Sequence, residues 1–174
     1  MKLTEPTIGY DRQIQAYRRE FLATGSSMSG AGSLTRFENT QDWLDHVERY
    51  KNPETVPPDR VPTTQYIYVR EQDDKIVGLI QIRHYLNESL AKYSGHIGYS
   101  VVPSEQRKGY ATQMLGLALE KCRELGIHRV LITCVPENEG SRRTILKNGG
   151  IYESTVFEEE KGRFLERYWI GLAD

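Results

Sequence analysis

The sequence predicts an α+β domain in which a central mixed, mostly antiparallel sheet is flanked by helices. Three observations carry this expectation. Seven segments with strand patterning are interleaved with four helical segments, in the order β-α-α-β-β-β-α-β-α-β-β. The middle of the chain, from Gly95 to Gly126, reads as a strand, a short polar loop and a long helix. A length of 174 residues without internal repeats suits one domain spanning 1–174.

Lys2 to Thr4 is a short first strand, broken by Pro6. Ile8 to Ala23 is helical, with Ile14, Tyr17, Phe21 and Leu22 on one stripe. Thr24 to Ser33 is rich in glycine and serine and reads as a mobile loop, long enough to serve as a lid or binding segment. Asn39 or Thr40 caps a second helix to about Arg49, with Trp43, Leu44 and Val47 inward. Four prolines, Pro53, Pro57, Pro58 and Pro62, keep Lys51 to Thr64 irregular. Gln65 to Arg70 and Lys75 to His84 form two strands around an Asp73-Asp74 turn. Leu86 to Ser94 connects to a strand on which Ile97, Tyr99 and Val101 share a face, and Pro103 ends its pairing.

After the polar loop, Met114, Leu115, Ala118, Leu119, Cys122 and Leu125 recur at helical spacing, and Gly126 closes that helix. Arg129 to Val135 is rich in β-branched residues, as a buried central strand is, and Pro136 stops it. Asn138 caps a short helix from Glu139 to Lys147, which Asn148-Gly149-Gly150 ends. Ile151 to Phe157 and Arg163 to Ile170 make a closing hairpin across Glu158 to Gly162.

Composition narrows the class. Hydrophobic content of 38% and charged content of 27% describe an ordinary globule. A net charge of -1 argues against a nucleic-acid-coating or membrane-surface protein. No apolar run approaches the ~20 residues of a membrane span, and the N-terminus lacks a signal-peptide core. Cys122 and Cys134 fit no zinc or disulfide spacing, so no metal is expected. A cytoplasmic enzyme or binding protein is the expectation.

The polar loop points to an anion. A strand-loop-helix aims backbone N–H groups and the positive end of a helix dipole at one point. A P-loop needs a second glycine followed by Lys-Ser/Thr, and a Rossmann turn needs three glycines in six residues. This loop has only Gly109. Instead Gln106-Arg107-Lys108-Gly109-Tyr110-Ala111 fills the pattern Gln/Arg-x-x-Gly-x-Gly/Ala. Placed between a strand and a helix, this string resembles the pyrophosphate motif of the GNAT superfamily of acyl-CoA N-acyltransferases. The order of elements along the whole chain is similar too.

The resemblance implies a GNAT-like fold, splayed between strands 95–102 and 129–135, with acetyl-CoA as cofactor and CoA as product. The pantetheine arm would lie along Tyr99, Ser100, Val101 and Val102, and the pyrophosphate on Arg107, Lys108, Gly109, Tyr110, Ala111 and Thr112. The family often carries Asn-x-x-Ala/Ser-x-x-x-Tyr, and Asn138 and Ser141 occupy its first two places. Arg142, with Arg143 and Lys147, would add charge for a cofactor phosphate. The tyrosine that usually reprotonates the leaving thiolate is replaced by Ile145. Cys134 and Tyr152 are substitutes by element order.

Attack on a thioester needs a neutral amine, whereas an alkyl amine with a pKa near ~10 is protonated at neutral pH. His96 stands where many relatives place a glutamate and is the candidate base, with His84 and Glu88 as alternatives. The N–H of Val101 is the candidate oxyanion donor. Residues 8–64 would build the acceptor-site region and 65–174 the acyl-CoA core. Glu20, Glu38 and Glu153 would suit an amine, yet the acceptor's identity is not legible. The expected activity is acetyl transfer to a primary amine of a small molecule or protein, with a possible homodimer as partner assembly. A non-catalytic acyl-CoA-binding sensor of the same fold is the alternative that Ile145 keeps open.

Overall fold

In the computed structural model, which describes residues 1–173, the strand segments form two sheets. The first contains β1 (Lys2–Thr4), β2 (Thr63–Arg70), β3 (Lys75–Arg83) and β4 (Ile97–Val101), in the order β1-β2-β3-β4. The second contains β5 (Arg129–Cys134), β6 (Ile151–Glu158) and β7 (Arg163–Gly171), in the order β5-β7-β6. Every ladder within the two sheets is antiparallel, so no sheet is internally mixed.

The helices are α1 (Asp11–Thr24), α2 (Thr40–Lys51), α3 (Tyr110–Glu124) and α4 (Glu139–Lys147). The first begins later than its apolar stripe suggests, because Ile8–Tyr10 closes as a single 3-10 turn. Ile14, Tyr17 and Phe21 are buried along α1, but Leu22 points outward and is 51% exposed. Asn39 caps α2 by accepting from the N–H groups of Gln41 and Asp42. The connection before β4 holds a short π-helical turn over Leu90–Ser94. Among the described residues no helix is long and apolar enough to cross a membrane.

Strand alternation divides the core into two layers. On β3, Ile80 and Ile82 pack with Met114, Leu115 and Ala118 of α3. Ile76 and Leu79 pack with Ile14, Tyr17 and Trp43 of α1 and α2. Burying each such side chain contributes about 1.5–3 kcal/mol, so β3 is clamped from both faces.

The two sheets meet at one place. Gly95 forms an isolated bridge to Ile132, and the N–H of His96 donates to the Leu131 carbonyl at 2.8 Å. Gly95 has φ +69°, and a Cβ there would lie 2.2 Å from the Leu131 carbonyl oxygen. Only glycine lets the backbones come so close. Beyond this joint β4 and β5 share no ladder, and the sheets open into a cleft.

Candidate active site

The cleft is about 1340 Å³ and runs from the joint to the loop before α3. One wall is the free edge of β4. Because Val102 N–H donates to Val77 on the β3 side, alternation turns the backbone groups of Tyr99 and Val101 toward the open edge. The other wall comes from β5 and the start of α4. At the far end sit Arg107, Gly109, Tyr110, Ala111 and Thr112. Arg107 and Gly109 both have positive φ, at +62° and +83°. That backbone turns the loop directly into the N-terminus of α3, whose first-turn amides have no intrahelical partner.

A buried ion cluster fixes the base of this loop. Glu105 is only 5% exposed, and its carboxylate meets Arg70 at 2.9 Å, Lys75 at 2.8 Å and Lys108 at 2.8 Å. These partners, Arg70 foremost and then Lys108 and Lys75, hold the carboxyl well below the usual carboxylate range. Asp73 also pairs with Arg70, so three cations face two carboxylates and one positive charge is left over at the loop. Lys108 is thus spent on Glu105 and does not line the cleft, whereas Arg107 does.

On the facing helix, Asn138 accepts from the Ser141 N–H at 3.0 Å and caps α4. Ser141 Oγ lies 2.7 Å from Tyr99 Oη across the cleft. Burial pushes the Tyr99 phenol up to about 12. Ile145 is wholly buried in the core, so the usual tyrosine position has no hydroxyl to offer the cleft. Arg142 does not line the cleft either. It turns back to Glu166 at 3.0 Å and to the Pro136 carbonyl, while Arg143 and Lys147 line the cleft. Val102 is buried against the α1–α2 core and also lies off the wall. Cys134 lines the cleft with its thiol pushed up to about 11 by burial, whereas Tyr152 sits on the outer strand and pairs with Thr155.

His96 belongs to the joint. The Leu131 N–H donates to its Nδ1 at 3.0 Å, which places the proton of the neutral ring on Nε2 and uses its basic lone pair. The ring is buried and is not on the cleft wall. Desolvation, with Arg83 adding repulsion, lowers its pKa from 6.5 to about 4. This geometry assigns His96 to holding β5 rather than to receiving a proton from an amine. His84, bonded to Thr64, and the exposed Glu88 also lie off the cleft.

The folded state needs the neutral ring. Its contribution is complete above pH ~6.5 and is lost as pH falls toward about 4. Asparagine at this position keeps an acceptor and removes the titration. The thermal midpoint of His96→Asn is therefore expected to fall less steeply than wild type between pH 6.5 and 4. Parallel curves would show that the ring does not carry this acid sensitivity.

The α1–α2 loop completes the cleft, as its length suggested. Ser27, Ser29 and Gly30 line it, and Gly30 lies directly on the Gly98 backbone. A Cβ on Gly30 would fall 2.1 Å from the Gly98 carbonyl oxygen. The carboxylates expected to greet an amine are elsewhere. Glu20 accepts from the Ser104 N–H, and Glu153 pairs with Arg167. Glu38 does not line the cleft. The lining groups that escaped the sequence reading include the Tyr99 hydroxyl and Arg83. The signal for Tyr99 was its place on the strand face opposite the capped helix.

A splayed strand pair closed at one end by an amide-rich, positively charged loop has the geometry of an anion-binding cleft. The model of the acetyltransferase (GNAT) domain matches residues 15–151, and the chain belongs to the GNAT acetyltransferase family. It is 33% identical over 82 residues to YnaD, an uncharacterized N-acetyltransferase of Bacillus subtilis (strain 168). That stretch covers 47% of this chain and 46% of that relative, about half of each. The fold is similar to a ribosomal-protein-S5-alanine acetyltransferase from Vibrio fischeri, with TM-score 0.74 and 17% identity over 99% of this chain and 93% of that one. It is also similar to a variant of the spermidine N-acetyltransferase SpeG from Vibrio cholerae. There the TM-score is 0.65 with 17% identity, over 98% of this chain and 95% of that one.

Proposed function

We propose that this chain transfers an acetyl group from acetyl-CoA to the primary amine of a small molecule. The carrying observation is the cleft itself, in which an unpaired strand edge leads to an anion-binding loop. The residues present fit the coenzyme. The loop amides of Arg107 to Thr112 suit its pyrophosphate, and Tyr99, Ser100 and Val101 offer the strand edge to its arm. Asn138 and Ser141 form the opposite wall, and Arg107, Arg143 and Lys147 supply cations at the mouth.

When bound, acetyl-CoA supplies an acetyl thioester open to attack by the amine nitrogen. The N–H groups on the open edge of β4 stabilise negative charge on the carbonyl oxygen, with that of Tyr99 nearer the closed end of the cleft than that of Val101. The Ser141 hydroxyl, held by Tyr99, donates a hydrogen bond to the sulfur as the carbon–sulfur bond breaks; the proton lost by the amine leaves to water, and the thiolate takes one up from water. Among the described residues no histidine lines the cleft, so deprotonation falls to water and to the charge of the site. Self-association belongs to the same reading, with the exposed Ile151, Tyr152, Phe157 and Phe164 of the β6–β7 hairpin as its surface.

The test is thiol release from acetyl-CoA across a panel of primary amines. Amine-dependent release is expected, and Tyr99→Phe should slow it by about ten- to a hundredfold, the range for losing a hydrogen bond to a charged group. Coenzyme binding without release for any amine would instead support the non-catalytic sensor.

A further inference from the structure

Arg83 has no use in the mechanism above. It ends β3 directly opposite His96 and lines the cleft where the two sheets join. Its Nη1 donates to the Gly95 carbonyl at 2.9 Å, which fixes the guanidinium at the joint. A guanidinium has five N–H donors, and among the described residues only this one finds an acceptor. No carboxylate of those residues pairs with it. Loss of water around the group pushes its pKa down to about 10. A cation partly withdrawn from water without a counter-charge is unfavourable unless a ligand supplies one.

The position of Arg83 selects which ligand. Alternation puts it on the face of β3 shared with Leu79, toward α1 and α2, and away from α3. The phosphate loop begins beyond Val102, seven residues along from Gly95, or roughly 20 Å at strand rise. Coenzyme phosphates on that loop are out of its reach. The cleft wall also contributes Phe21, Ser27, Ser29, Tyr93 and Ser94, all uncharged, and Ser94 adjoins Gly95, whose carbonyl Arg83 holds. A polycationic amine would meet an unopposed positive charge here. One guanidinium fork matches a single carboxylate.

We propose that the acceptor is a small amine bearing its own carboxylate, a free amino acid or close analogue, and that Arg83 holds that carboxylate at the closed end of the cleft. This rests on the acetyl-transfer reading. The products are then the N-acetyl amino acid and CoA: the carbon–nitrogen bond forms, the carbon–sulfur bond breaks, and one amine proton leaves to water.

The experiment compares matched pairs, each an amino acid and its carboxamide, with spermidine and an aminoalkyl phosphonate beside them. Wild type, Arg83→Met and Arg83→Lys are assayed for thiol release, and coenzyme affinity is measured calorimetrically for each. Wild-type kcat/KM is expected to favour the acid over its amide by at least about tenfold, the low end for a charge-assisted hydrogen bond. Arg83→Met should remove that preference, mainly through a raised KM for the acid, with coenzyme affinity kept, and Arg83→Lys should restore part of it. A merely structural role would lower acid and amide turnover together. Equal turnover of acids and amides, or a preference for spermidine or the phosphonate, overturns the proposal.

If no amine is acetylated, the acetyl-transfer reading fails, and calorimetry still decides the subsite. N-acetyl amino acids binding CoA-loaded wild type, but not Arg83→Met, would establish the carboxylate site. Equal binding of an N-acetyl amino acid and its amide would end it.

Discussion

Replacing Gly109 with glutamate is expected to abolish coenzyme binding while the fold survives. Gly109 has φ +83°, and nothing lies within 4 Å of a Cβ built on it, so the added Cβ meets no protein atom. The left-handed conformation costs about 1–2 kcal/mol for a side-chain-bearing residue, which a domain of this size tolerates. The ligand does not tolerate the change. The new carboxylate would stand among the loop amides that a pyrophosphate needs, with its own negative charge against the phosphates. Affinity should fall at least about a hundredfold, equivalent to roughly 2.8 kcal/mol. Calorimetry with acetyl-CoA reads the loss, and the thermal midpoint without ligand confirms that the chain is folded. Gly109→Ala separates the two causes, since it carries the backbone strain without the charge. Binding within a few-fold of wild type in Gly109→Glu would place the coenzyme elsewhere.

The loop at Gly109 was readable because its signals are local. A strand pattern, a proline, a glycine and a 3.6-residue period stand within thirty residues of one another, and each reports on backbone geometry at its own position. The same holds for the Asn39 and Asn138 caps and for the order of elements. What the sequence did not disclose was the direction of side chains beside those elements. Arg142 and Arg143 are neighbours in a basic helix, yet about 100° of helical rotation sends one to Glu166 and leaves the other on the cleft.

Lys108 looked like a phosphate ligand because its partner Glu105 gains Arg70 and Lys75 only through the fold, from positions 35 and 30 residues earlier. His96 is the clearest case. Its chemistry suits a general base, but the Leu131 N–H that occupies Nδ1 comes from another sheet. Arg83 was hidden differently: a charged residue at the end of an apolar strand reads as the point where the strand reaches water.

The joint between the sheets gives the remaining large effect. Gly95→Ala is expected to destabilise the protein by about 3 kcal/mol or more, combining left-handed strain, overpacking and weakened hydrogen bonds. The clash is with the Leu131 carbonyl oxygen at 2.2 Å and the Leu131 carbonyl carbon at 2.8 Å, backbone atoms that cannot swing aside. Relief requires β4 and β5 to separate, which stretches both bonds between His96 and Leu131. For a domain of this length the thermal midpoint should drop by roughly 10 °C.

The functional consequence is more specific than lost stability. The phosphate loop lies roughly 20 Å away along β4, with its own Glu105 cluster beneath it, so coenzyme affinity should change only a few-fold. The closed end of the cleft, where Arg83 bonds the Gly95 carbonyl, would shift by an ångström or more. A misplacement of that size costs about a hundredfold in rate when it separates reacting groups. Turnover lost with coenzyme binding kept would locate the reacting centre near the joint. Equal losses in both would mean that opening the joint loosens the whole cleft as one unit.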